Sequence, residues 1–311
     1  MKNAVLAFHG FYLLEPCFPT FPVEFMDKKR HHYVPKHYLK GFTQSPDSEK
    51  IWIYEKGGTK SFRTNLRNAG VEGHYYTISM QNGKKDSNTL ENWLADHIES
   101  PANSVIDKIR NSLPITADEK FTMSIYMYVM LKRVPHHVPR HSGLFEKVCN
   151  EIVTEINQGE FPKIFLDTYS KKDIIQVVDN LKNSDIKNLY LSSITDLSKK
   201  IINAIYRMNW KFLTFKGERD FITCDNPFAF DEGPGLGDSQ AEITFPVSSH
   251  VVIWATWLNG DVDLQYFPTL QHIADIVNWR TYKVSTKYIF YHAKKEWVTK
   301  RANSDDPILS F

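Results

Sequence analysis

The sequence predicts an α+β fold, with a mainly antiparallel sheet formed from N- and C-terminal segments and a helical region between them. Three observations predict it. Strand-like runs gather near residues 51–56 and again beyond Trp210, helical periodicity fills the stretch of about 89–208, and strand and helix do not alternate as βαβ units would.

The elements follow in order. "IWIYEK" at 51–56 is rich in β-branched and aromatic residues and stops at Gly57-Gly58, a strand entering a turn. Asn82-Gly83 marks another turn. From Thr89, Leu90, Trp93, Leu94 and Ile98 recur at helical spacing, and Val105, Ile106 and Ile109 resume it; Pro101 is expected to break or kink this segment. Thr116 with Glu119 three residues on is a capping box, opening a buried helix that runs to Pro135. Further helices are expected over 143–157, 171–182 and 185–208. Past Trp210, "WKFLTFK", a turn at 217–220 and "FITC" read as a β-hairpin. "EITFPV" and "HVVIWATWL" are two more strands, 268–282 a helix and 286–292 a last strand.

Residues 1–25 read as a non-native or disordered extension, because Met26 opens "MDKKRHHYVPKHYL"; residues 26–311 read as a single domain with a helical insert at about 89–208. Hydrophobic content of 42% with 24% charged is globular, and 14% aromatic residues supply a well-packed core. A net charge of +2 lacks the excess of a protein that neutralises many phosphates, so any nucleic-acid contact needs a local patch. Cys17, Cys149 and Cys224 are odd in number and widely spaced, which argues against a disulfide framework and fits a reducing, cytoplasmic setting. No apolar run reaches the ~18 residues of a membrane span.

Chemistry could sit in four places. His31, His32 and His37 form one cluster, and His136, His137 and His141 another. Imidazole carries protons near neutral pH and binds metals, yet no HExxH spacing occurs, and histidines bonded to backbone remain the plain alternative. "LKRVPHHVPRH" places Arg133 and Arg140 around two prolines, either as a rigid cationic loop that grips an anion or as a favourably charged helix exit. In "FITCDNPF", Asp225 at a strand end could act as base or metal ligand, or Asp225 and Asn226 could simply build a turn. Residues 28–40 hold Lys28, Lys29, Arg30, Lys36 and Lys40 with no acid, interleaved with Tyr33 and Tyr38, which is the best local case for a polyanion contact.

"HHYVPKHYLKGF" at 31–42 resembles the opening of a bacterial family known as domain of unknown function 4238. "ENWLADHIES", "YVMLKRVPHHVPR", "WKFLTFKGERDFITCDNPF", "FPVSS" and "VNWRTYKVSTKYIF" are similar to its later segments, in order. Val replaces a more usual Leu in "FPVSS", and the second histidine cluster lies outside the family's pattern. The resemblance brings no established activity. It implies that His31, His32, Arg133, Asp225, Asn226 and Asn278 matter together. The functional expectation is a hydrolase acting on a phosphodiester or other anionic substrate. His31, His32, Asp225 and Asn226 would be catalytic and Arg133, Arg140 and Asn278 substrate-binding, with a divalent metal ion on His32 and Asp225 as its metal-dependent form. The alternative is a non-catalytic module that binds nucleic acid or protein.

Overall fold

A computed structural model describes residues 29–45, 47–79, 84–134, 137–182, 186–230, 235–258 and 263–302. First come β1 (Arg30–His32), α1 (Lys36–Lys40), β2 (Lys50–Glu55), β3 (Ser61–Asn65), β4 (Val71–Gly73), β5 (Ile78–Ser79) and β6 (Lys85–Asp86). The helical stretch holds α2 (Thr89–Trp93), a π-helical segment (Leu94–Glu99), α3 (Ser100–Arg110), α4 (Ala117–Lys132), α5 (His137–Gln158), α6 (Lys163–Leu166), α7 (Lys171–Lys182), α8 (Ile186–Ile194) and α9 (Lys199–Arg207). Strands return as β7 (Asn209–Thr214), β8 (Thr223–Cys224), β9 (Ala229–Phe230), β10 (Glu242–Pro246), β11 (Val251–Thr256) and β12 (Gln265–Pro268). The described chain closes with α10 (Gln271–Val284), β13 (Tyr288–Tyr291) and α11 (Glu296–Ala302). The fold is therefore α+β, with strands towards both ends and helices between. No helix among the described residues is long and apolar enough to cross a membrane.

The chain divides into two compact units. The larger draws on 28–76, 90–134 and 197–311; the smaller contains 77–89 and 135–196. The proposed extension at 1–25 lies outside the described residues.

In the larger unit, one sheet has the order β3-β2-β13-β8 and is antiparallel throughout, joining N-terminal to C-terminal strands. Successive side chains of a strand point to opposite faces. Ile51 and Ile53 of β2 therefore leave one side while Trp52 and Tyr54 leave the other, where Tyr54 packs with Ile222, Cys224, Ile289, Tyr291 and Val298. The second sheet has the order β12-β7-β11-β10-β9, antiparallel except for the β12–β7 pair. Ala274 and Val277 of α10 pack on it against Phe221 and Val252. Helix α4 starts at the predicted capping box, with Glu119 N–H donating to Thr116 Oγ1 and Thr116 N–H to Glu119 Oε2. It buries Met123, Tyr126, Met127, Val129 and Met130 against a surround that includes α3 and α9. Each such fully buried apolar chain contributes about 1.5–3 kcal/mol.

The smaller unit buries Cys149 and Ile156 of α5 against Ile174 and Val178 of α7. Its β5–β6 pair is clamped to α8 by the Asn188 amide, which accepts from Ser79 N–H and donates to Ser79 O.

Three expectations are corrected. Pro101 does not break the helix: Ser100 N–H bonds the carbonyl of Ala95, five residues back, and this wide π-turn lets the chain pass Pro101 in the first turn of α3. "WKFLTFK" and "FITC" do not form a hairpin, since β7 pairs with β11 and β12 while β8 pairs with β13. Their connection instead straddles the β10–β11 turn, with Phe215 N–H donating to His250 O and Phe221 N–H to Ser249 O. The expected cationic loop after Pro135 returns to helix at His137, because Pro139 falls in the first turn of α5, where its missing N–H costs nothing.

Candidate functional site

Strand β1 pairs with β4 so that His31 lies opposite Glu72 and His32 opposite Val71. Pleating sends the two adjacent histidines to opposite faces. His31 is fully buried and stacks on the Tyr76 ring, centroids 5.4 Å apart. Its Nδ1 accepts the Tyr76 backbone N–H at 2.7 Å, which places the ring hydrogen on Nε2. The His32 ring is half-buried. Burial lowers its pKa, against a bond to the Leu66 carbonyl and the charge of Glu99. His32 Nε2 is buried and, among the described residues, has no partner.

Arg133 caps the end of α4 at 1% exposure. Its Nε donates to Tyr76 Oη at 2.9 Å, Nη1 to Glu99 Oε1 at 2.7 Å and Nη2 to the His32 carbonyl at 2.5 Å. Burial works against the guanidinium charge, but the Tyr76 hydroxyl and the Glu99 carboxylate outweigh it and push its pKa upward. Burial likewise raises the Tyr76 phenol. Arg133 thus ties three chain segments together and turns no free edge outward. His37, the third histidine of the first cluster, departs from this group and pairs with Asp107 of α3 at 3.0 Å.

Asp225 follows β8 at 2% exposure. Its Oδ1 accepts Thr286 N–H at 2.8 Å, and its Oδ2 accepts Thr286 Oγ1–H at 2.6 Å, Lys287 N–H at 2.6 Å and Tyr288 N–H at 3.0 Å. The carboxylate therefore fastens β8 to the start of β13. Next to it, Asn226 Nδ2 donates to the Val284 carbonyl, while its Oδ1 is buried and unpartnered among the described residues. On α10, Asn278 accepts Ile222 N–H and donates to the Asp220 and Arg219 carbonyls.

The sequence-predicted residues thus fall into two groups of the larger unit, His31, His32 and Arg133 in one and Asp225, Asn226 and Asn278 in the other. A metal on His32 and Asp225 would have to compete with the four donors that already hold the carboxylate. Among the described residues no group of three or more His, Cys, Asp or Glu is arranged to hold a metal ion. Lys28 and His136, and the side chain of Arg140, lie outside the described residues. Tyr76 and Glu99, which complete the Arg133 group, carried no distinguishing spacing. Only the end of the "ENWLADHIES" helix pointed towards Glu99.

The basic segment is partly as expected. Lys29, Arg30 and Lys40 are exposed, joined by Arg63 and Arg67 from β3 and the turn after it. Tyr33 and Tyr38 are not available for stacking, since both are buried, and Tyr38 Oη bonds Thr223 Oγ1 and the Pro246 carbonyl. The exposed ring is Phe62, at 47% on the edge strand β3.

These features define an α+β protein whose larger unit is knotted around a buried histidine–arginine cluster and carries a basic face. The chain belongs to the family described as protein of unknown function (DUF4238), whose model matches residues 30–295. Neither a curated protein nor a solved structure matches it.

Proposed function

We propose that this protein binds a nucleic-acid strand through the basic face of its larger unit. The observation that carries the reading is charge segregation. Residues 29–73 hold nine Lys or Arg against four Asp or Glu, a balance of +5 in a chain whose total is +2. Two of the four acids are already paired, Glu49 with Lys36 at 2.8 Å and Glu55 with Lys287 at 3.6 Å. Phe62, exposed on the edge strand β3, offers a flat apolar face on which a base can stack. Catalysis at His31, Asp225 or Arg133 finds less support, because all three side chains are buried and bonded to the protein itself.

The test is fluorescence anisotropy of a labelled single strand across a salt series. Affinity should fall steeply with salt, and the double variant Arg63→Glu, Arg67→Glu should weaken it and flatten the slope by about 0.7 for each phosphate contact removed. Absence of binding at low salt, or binding indifferent to charge reversal, would overturn the reading.

A further inference from the structure

We propose that a bound RNA strand is cut, without need of a metal, by an acid–base pair formed by His292 and His250 beside Lys295. This rests on the strand-binding reading and adds a reaction to it.

Asp220, at 5% exposure, lies in the connection between β7 and β8 and is anchored through its carbonyl by Asn278 Nδ2. Its Oδ2 stands 3.2 Å from His292 Nδ1, just past the end of β13, and its Oδ1 stands 3.2 Å from Lys295 Nζ. The Asp220 charge beside Nδ1 favours the tautomer with the hydrogen there and the lone pair on Nε2. The contact is an ion pair, and the carboxylate charge stabilises the protonated form of the imidazole. Lys295 also donates to the Glu218 carbonyl, which fixes its ammonium in place.

The second ring, His250, is exposed on the β10–β11 turn. Its Nδ1 meets the Phe215 carbonyl at 3.2 Å, so here too Nδ1 donates and Nε2 is the open nitrogen. The ring centroids of His250 and His292 are 6.3 Å apart with the planes inclined by 55°, beyond direct hydrogen bonding and within reach of one tetrahedral oxyanion. The turn adjoins the basic segment, because Ser249 N–H donates to the carbonyl of Gly41, the residue after Lys40. Burial, Lys295 and His250 lower the His292 pKa while Asp220 raises it; the net fall leaves the ring unprotonated at neutral pH.

In the step, His292 Nε2 takes the proton of a ribose 2′-hydroxyl. The 2′-oxygen forms a bond to the adjacent phosphorus, and the bond from phosphorus to the 5′-oxygen of the next nucleotide breaks. Protonated His250 gives its proton to that leaving oxygen, and Lys295 offsets the charge that builds on the phosphoryl oxygens. The products are a 2′,3′-cyclic phosphate and a 5′-hydroxyl. No co-reactant is required.

The experiment incubates the full chain with a labelled single-stranded RNA and its deoxy counterpart, in EDTA. The expected result is cleavage of the RNA alone, with cyclic phosphate ends by mass spectrometry. His292→Gln and His250→Ala should each slow it by about 100-fold or more while anisotropy still reports binding. RNA that binds wild type but stays intact overturns the proposal, as does cleavage undiminished in His250→Ala, a surface change that keeps the test valid if His292→Gln fails to fold. If neither strand binds, the strand-binding reading falls and the cleavage with it.

Discussion

Replacing Arg133 by methionine keeps most of the side chain's buried volume and removes all its donors. Three acceptors then lose a partner: the Glu99 carboxylate, the Tyr76 hydroxyl oxygen and the His32 carbonyl. Removing one member of a buried ion pair costs about 3–5 kcal/mol, because the other charge stays desolvated. Glu99 is 24% exposed at its side chain, so water recovers part of that loss and the cost falls towards the low end for this pair. The Tyr76 and His32 oxygens add to it, since a buried acceptor left empty costs about 1–3 kcal/mol. A total loss of roughly 5 kcal/mol or more is expected, read as a shift of the urea midpoint at unchanged slope. Glu99→Gln keeps an acceptor for Nη1 and should cost only about 1–2 kcal/mol. In the double variant the orphaned carboxylate is gone, so its loss should be smaller than the sum of the singles by about 0.5–3 kcal/mol. If Arg133→Met costs less than about 1 kcal/mol, Arg133 is not a joint, and its conventional use as an anion grip returns.

Asp225→Asn should lose about 2–4 kcal/mol in the same assay, because either amide orientation turns an NH₂ towards a backbone donor at Thr286 or at Lys287 and Tyr288. Added Mn²⁺ or Zn²⁺ should leave the wild-type midpoint in place; a rise that disappears in Asp225→Asn would restore a metal role. Gly70→Ala should destabilise by about 1–3 kcal/mol, since Gly70 sits at φ +59° and an added Cβ would meet Val34 Cβ at 2.7 Å. His32, facing Glu99, Arg133 and Arg30, has a folded pKa below the unfolded value of about 6.5, so the unfolded chain binds more protons on acidification. Its contribution is complete above that value and is lost as pH falls below it. Urea midpoints taken from about pH 7.5 to about pH 5.5 should drop, and His32→Gln should reduce the drop.

Features that depend on neighbours in sequence were legible. The Thr116–Glu119 box, the strand at 51–56 and the adjacent strands β10 and β11 all declare themselves within a few residues. Features decided by distant partners were not. The connection Gly217–Asp220 carries every local sign of a hairpin turn, yet β7 finds better partners in the apolar β11 and in β12. The stretch predicted as one helix over 185–208 holds both α8 and α9, with Ser198 starting the second. At the candidate site the same limit applies. An Asp at a strand end is equally suited to catalysis and to clamping a loop, and the three consecutive donors that decide the matter sit about sixty residues away. Asp220, His292, His250 and Lys295 were missed because they come from three separate places in the chain and none forms a recognised motif with its neighbours.

Residue type alone ranked Arg133 and Asp225 above His292 and His250, and counting open valences reverses the order. A buried polar group is stable only when its partners are present, so a fully paired one is evidence of architecture. Asp225 meets that description with four bonds, and Arg133 comes near it, buried with three of its five N–H groups bonded. A group that does chemistry must keep one atom for the substrate while its other atoms are held still. His292 has that form, with Nδ1 in an ion pair with a buried carboxylate and Nε2 left over, and His250 is held at Nδ1 by the Phe215 carbonyl. The histidine–arginine knot of the larger unit then acts as scaffold, joining β1 and the end of α4, while the atoms with chemistry to spare lie beside the turn that meets α1 and its lysines.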